Sequence, residues 1–401
     1  MRKASYRSAT TQARVHLNDL VFLGIYIGLL CWLSAHTHRS RSCMRASSLT
    51  ISLVSLISPT WGWGMSGHQI TATIAQIYLL PSAREAVCNI LTPTYKCNLA
   101  GVAAWPDEIK QDHSYDAYSN LHFVNAEGDD PPHKCIFGEL GWKSEFNILK
   151  GIADGVKNVT NTNDPSVNRD HALRFLAHFL GDIHQPFHLT GQYLGANYVF
   201  VKWKNRDTDL HSVWDDSFIS HQILFVNDTK YTAVLPTEPS VDLSTYDATR
   251  NQRIEAALKG VNYDPYIRYI LLEGIYSQWI DEVQEWISCP GLNDTHIEMS
   301  GQSVLEEDIS QFENPTSHPA LCPFYWASQT HPLLCNSVWP EGLTNETERV
   351  ELSKEYATRI RDAFIIEKQL AMGGVRLASV LNSLFGSVED IEKYGPTPLL
   401  T

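Results

Sequence analysis

The apolar residues of HQITATIAQIYLL, His68 to Leu80, recur every three or four positions. They line one face of a helix, and Pro81 ends the run. The same periodicity predicts helices around residues 145–158, over RDHALRFLAHFL from Arg169 to Leu180 with Gly181 as the stop, over Asp209 to Phe218, and over 264–287. The last long helix is expected at about 346–385. QYLGANYVFVKW, within 192–204, alternates instead and predicts a small hairpin. Pro, Ser and Cys cluster between 312 and 340, which reads as a loop. No internal repeat, low-complexity tract or Gly-rich phosphate loop interrupts the pattern. The expected fold class is mainly α, a single multi-helix domain with one small β-hairpin.

Two apolar segments precede this pattern. LVFLGIYIGLLCWLSA, Leu20 to Ala35, is slightly short for a membrane span. LTISLVSLI, Leu49 to Ile57, follows Met44-Arg45 and leads into Ser58-Pro59-Thr60-Trp61-Gly62, the form of a complete signal peptide. The expected organisation is a leader over 1–62, made of an extension 1–43 and a signal peptide 44–62, and one domain over 63–401. Cleavage after Gly62 makes Trp63 the N-terminus and sends the protein to the outside or to the endomembrane lumen. The competing topology is an uncleaved signal anchor over 20–35.

Charge narrows the partners. The chain of 401 residues carries −14 in total. Residues 1–62 hold +6 of charge, which leaves −20 for the rest. Such a body is a poor passive binder of nucleic acid, so positive charge for any phosphate must come from elsewhere, and bound metal ions are the obvious source. Beyond Cys31 and Cys43 the cysteines are Cys88, Cys97, Cys135, Cys289, Cys322 and Cys335, an even number that suits three disulfides in an oxidising compartment. Proximity along the chain pairs Cys88 with Cys97 and Cys322 with Cys335. Asn-x-Ser/Thr sequons at Asn158, Asn227, Asn293 and Asn345 agree with secretion.

ALRFLAHFLGDIHQPFH places His178 and Asp182 four apart, on one helical face, with His188 six residues on. DLHSVWDD repeats that spacing with His211 and Asp215. An imidazole nitrogen beside a carboxylate oxygen is a typical zinc donor pair, and two such pairs in 40 residues are less easily read as surface pairs. Asp107 in AAWPDEIK and His122 in NLHFVN stand in similar settings. HExxH is absent, which disfavours the metalloproteases that carry it.

With these motifs in order, the chain resembles the zinc-dependent single-strand nuclease and 3′-nucleotidase family of fungi, plants and protists, the S-one/P-one type. The resemblance runs from Trp63 to about Leu384. It rests on Trp-Gly-x-x-Gly-His at 63–68, Trp-x-Asp at 105–107, Leu-His-Phe at 121–123, Arg-Phe-Leu-x-His-Phe-x-Gly-Asp-x-His-Gln-Pro-x-His at 174–188 and Leu-His-Ser-x-Trp-Asp at 210–215. The resemblance implies the all-helical fold of zinc nucleases and phospholipases C, and three Zn2+ ions. One would take Trp63 through its freed α-amino group and carbonyl, with His68 and Asp182. A second would take Asp107, His122, His178 and the bridging Asp182, and a third His188, His211 and Asp215. It implies attack of an activated water on phosphorus, single-stranded nucleic acid and 3′-nucleotides as substrates, 5′-phosphate products, and a monomer without a stable protein partner. Phe123 would stack on the base, and Asn125 would contact the base edge.

The chain departs from the family pattern at Lys110, where an Arg usually stabilises transition-state charge. Lysine keeps the charge and loses the two-pronged donor. Pro106, and Asp209 in place of Asn, are lesser departures. His184 and Gln185 are read as supports for the ligands. His113, His133, His171, His221 and His331 are expected at the surface. Two other functions fit less of the pattern. A zinc-dependent phospholipase C usually has Glu at the place of Asp215. A non-catalytic zinc protein would have lost ligands, yet all nine positions are filled.

Overall fold

The computed structural model describes residues 63–226, 229–289 and 321–399. The leader expected over 1–62 and the sequons at Asn227 and Asn293 lie outside the described residues. Among those described, no helix is long and apolar enough to cross a membrane.

The fold is built around the helix Ile365–Phe385, which is buried from Ile365 to Asn382 apart from Lys368. Its sequence has no continuous polar stripe, so it belongs inside. It packs on the helix Met65–Ile77. Gly374 permits the contact, because a Cβ there would stand 2.6 Å from Cβ of Ile74. The helix Arg169–Asp182 lies against both and pairs with Ile148–Thr160. Asn168 caps the first by accepting from the His171 amide, and Asn147 caps the second by accepting from the Leu149 amide. Each cap is worth about 1 kcal/mol.

The mainly helical expectation holds, with local corrections. Pro81 does not end the first helix, which stops at Ile77. It opens the next, Pro81–Ile90, where a first-turn residue needs no amide hydrogen. The last helix is two, Lys354–Asp362 and Ile365–Phe385, because Phe364 between them takes a left-handed conformation at φ 52°. The 312–340 region, expected as loop, contains the helix Pro323–Thr330 and a π-helical turn Leu334–Val338. The hairpin sits later than expected. Strands β1 (Phe200–Trp203) and β2 (Arg206–Asp209) pair antiparallel around Lys204-Asn205, both at positive φ, and β3 (Val350–Glu351) joins β1 in parallel.

Among the described residues three disulfides are formed, Cys88–Cys97, Cys135–Cys335 and Cys289–Cys322. The first matches the sequence expectation. Cys322 with Cys335 is wrong, because the helical turns between them carry the chain forward about 1.5 Å per residue, beyond the reach of a bridge.

Candidate metal centre

Helical spacing delivers the first donors. His178 and Asp182 point the same way from Arg169–Asp182, and both are fully buried. Met65–Ile77 crosses that helix and brings His68 up to Gly181, where any Cβ would lie 2.7 Å from the imidazole. Asp107 comes from the short turn Trp105–Glu108, and His122 ends the 3-10 stretch His113–His122.

These five side chains converge. Asp182 Oδ1 lies 3.1 Å from His68 Nε2, and its Oδ2 lies 3.0 Å from His122 Nδ1 and 3.1 Å from His178 Nε2. Asp107 Oδ1 is 3.5 Å from His178 Nε2 and 3.8 Å from His122 Nδ1. The His68 and His178 rings stack at 3.7 Å. A second group holds His188, His211 and Asp215, with His211 Nε2 3.1 Å from Asp215 Oδ2. Asp215 sits in the π-helical turn Val213–Ser217, a wider coil that often marks functional sites.

Several ring orientations are fixed from behind. Nδ1 of His178 donates to the Ala103 carbonyl, Nδ1 of His188 to that of His122, and Nδ1 of His211 to that of Gly195. Each Nε2 is thereby turned inward, and in the neutral ring it offers its lone pair there, the arrangement that supports metal ligation. Gln185 Nε2 donates to Asp215 Oδ1 at 2.5 Å. His184 donates to the Leu180 carbonyl and receives Arg376 at 2.8 Å.

The fit to metal ions can be judged from what remains. His68 Nε2, Asp182 Oδ1, His188 Nε2, His211 Nε2 and Asp215 Oδ2 are buried without a hydrogen bond, although several lie about 3 Å from one another. Buried polar atoms are ordinarily satisfied. A set of opposed, unsatisfied N and O donors suits a divalent cation with nitrogen and oxygen ligands.

Burial lowers His122 to about 4 and His188 to about 3, so both rings stay neutral near neutrality. Burial also opposes charge on His178, but Asp182 and Asp107 outweigh it and raise the ring to about 10. The two carboxylates thus favour positive charge at the centre of the group. Burial works against ionised Asp107 too, and His178 and Lys110 together hold its carboxyl below the usual range. Burial raises Asp215 to about 7.

Trp63 is fully buried, and the next residue, Gly64, donates its amide to the Asp215 carbonyl at 3.0 Å. Lys110 Nζ lies 2.5 Å from Asp107 Oδ1. Phe123 and Asn125 line an open cavity, bordered also by Thr190, Leu194, His188 and His211. The structure therefore brings the expected base-contact residues to the edge of the second donor group.

Sequence reasoning placed some residues wrongly. His331 is not a surface residue: it is 1% exposed and bonds to Asp129. His171 is half-buried against Trp105 and Tyr115. His113 and His133 are exposed, and His221 is partly covered by Trp203. Asp129 and Arg376 were missed altogether. The signal for His331 and Asp129 lay in Cys335 and Cys135, which follow them by four and six residues and are bonded to each other. Asp216 was missed as well. Burial raises its carboxyl, and it packs where a side chain at Gly64 would otherwise go.

The family model described as S1/P1 Nuclease matches residues 63–263 and 276–386. Endonuclease 3 of Arabidopsis thaliana is 29% identical over 344 residues, covering 84% of this chain and 93% of that protein. Nuclease P1 of Penicillium citrinum is 27% identical over 326 residues, 81% of this chain and 98% of its own. Nuclease S1 of Aspergillus oryzae (strain ATCC 42149 / RIB 40) is 26% identical over 346 residues, 84% and 95% respectively.

Proposed function

The chain belongs to the S1/P1 nuclease family and is a metal-dependent nuclease, and from that premise we propose that it is a trinuclear zinc enzyme cleaving single-stranded DNA and RNA to 5′-phosphate products, with 3′-nucleotidase activity besides. The observation that carries this reading is the set of buried donor atoms without hydrogen bonds at the family's motif positions.

Trp63, His68 and Asp182 would hold one ion, Asp107, His122, His178 and Asp182 a second, and His188, His211 and Asp215 a third. Zinc bound there supplies Lewis acidity, which lowers the pKa of water towards ~7 and offsets phosphate charge. Lys110, beside Asp107, adds a cation from the protein itself at the edge of the acidic group. Phe123 offers a ring face for an unpaired base, and stacking of that kind tolerates any sequence. Asn125 offers donor and acceptor atoms to the base edge. A paired base presents no free face, so single strands are the preferred polymer.

In this reading the domain spans 63–401, and cleavage before Trp63 frees the α-amino group as a ligand. The three disulfides agree with an oxidising, secreted or luminal location. Asn158 and Asn345 are the glycosylation candidates among the described residues, the second exposed. The working unit is a monomer.

The test is hydrolysis of single-stranded DNA and of a 3′-mononucleotide by secreted protein, with and without a chelator. Chelator-sensitive cleavage of both, restored by Zn2+ and not by Mg2+, is expected. Failure to cleave either, by protein shown to begin at Trp63, would overturn the assignment.

A further inference from the structure

Asp129 is a carboxylate that the nuclease chemistry leaves unused, and its side chain is 1% exposed. Burying such a group is costly unless its lone pairs are filled. Three bonds fill them. Oδ1 accepts from the Ile136 amide at 3.1 Å and from His331 Nε2 at 3.0 Å, and Oδ2 accepts from Thr190 Oγ1 at 2.7 Å.

His331 is itself buried and packs on Phe137, 4.9 Å between ring centres. The Cys135–Cys335 bridge ties together the two segments that carry the pair. Asp129, Cys135 and His331 group like metal donors. Cys135 is committed to the disulfide, however, and both Asp129 oxygens are taken by hydrogen bonds, so the group is better described as a clamp.

What it clamps is the wall of the cavity. Thr190 is 2% exposed, borders the cavity and follows His188 by two residues. Thr190 Oγ1 in turn accepts the Gln192 amide at 3.2 Å, and Gln192 Nε2 donates to Asp130 Oδ1 at 2.5 Å. Gly191 between them lies so close to Asn125 that a Cβ would stand 3.1 Å from its Cγ. Residues 193–196 then run at φ 47°, 57°, 59° and 64°, a left-handed turn that its surroundings must impose. Leu194, in that turn, forms the cavity rim.

We propose that Asp129, fastened by His331, is the positioning residue of the base pocket: through Thr190 it sets the wall that faces Phe123 and Asn125. The proposal rests on the reading of this cavity as the nucleobase site. A purely stabilising buried pair has no need to be bonded to a cavity wall, and apolar residues of similar size often serve stability as well.

The test compares His331→Ala with His331→Gln in the processed, secreted protein. Glutamine keeps an N–H for Asp129, and alanine removes it. Two substrates are used, a single-stranded oligonucleotide and bis(4-nitrophenyl) phosphate, which is a phosphodiester without a base. His331→Ala should raise KM for the oligonucleotide about tenfold, the loss expected when a buried acceptor goes unpaired. Its kcat, its rate on the base-free diester and its metal content should stay within about twofold of wild type. His331→Gln should restore KM. Asp129→Asn, which still accepts from Thr190, should fall between them. Parallel losses on both substrates, or an unchanged KM in His331→Ala, would overturn the positioning role. Wild-type protein inactive on both substrates would instead overturn the nuclease reading, and the positioning role with it.

Discussion

Lys110 Nζ sits 2.5 Å from Asp107 Oδ1, one helical turn along the chain, at the exposed side of a group whose other members are buried. The lysine helps keep Asp107 ionised and is the protein cation beside the donors. Lys110→Ala should lower kcat/KM on single-stranded DNA by about 100-fold, the usual loss on removing one transition-state donor. Lys110→Arg should equal or exceed wild type, since the guanidinium adds a second parallel N–H. Steady-state rates decide this. An alanine variant at wild-type rate would remove Lys110 from the mechanism.

Gly195 stands at φ +59°, and its carbonyl accepts Nδ1 of His211 at 2.5 Å. A Cβ there would lie 2.7 Å from the Phe187 carbonyl oxygen. Gly195→Ala should cost about 2 kcal/mol or more of stability and turn His211 away from its group. Thermal unfolding together with bound-metal analysis checks both effects. Retention of full metal content would separate the carbonyl from ligand orientation.

Glu367 is buried on the central helix, and its Oε1 accepts from Gln222 at 3.0 Å and Tyr266 at 2.9 Å. Burial raises its carboxyl to about 7. The folded state therefore binds a proton where the unfolded chain has released it. Stability should fall as pH rises from the unfolded value near 4.5 through 7, and level off above. The span of the effect is about 3 kcal/mol at most. Glu367→Gln should flatten that part of the curve, read from denaturant midpoints between pH 4 and 8. An unchanged slope would assign the pH dependence to other groups.

Cys135–Cys335 closes 200 residues and Cys88–Cys97 only nine. A longer loop removes more freedom from the unfolded chain. Cys335→Ser should therefore destabilise by roughly 3 kcal/mol more than Cys97→Ser. Equal losses in urea unfolding would mean that local strain, and not loop length, governs these bridges.

The sequence made legible what depends on short-range spacing. His178 with Asp182, and His211 with Asp215, were readable because four residues make one helical turn. The class of fold followed from apolar residues at that same period. Readings failed where distant segments decide the outcome. The periodicity from 346 to 385 carried no sign of the left-handed Phe364, which splits the helix. Cys335 took a partner 200 residues away and not its neighbour in sequence. His331 looked solitary because its carboxylate, Asp129, comes 202 residues earlier. The alternation over 192–204 pointed to a hairpin, but its first half is the left-handed turn at 193–196, which the packing of Gly191 on Asn125 and the Thr190 bond help to hold.

The bond from His188 Nδ1 to the His122 carbonyl joins residues of the two donor groups. One residue thus faces both ways, with its ring in the first group and its peptide steering a ring of the second. A peptide tilt that suits the first group displaces an acceptor of the other. Neither group can be tuned alone, so a variant selected for altered chemistry at one would have to carry a compensating change at the other.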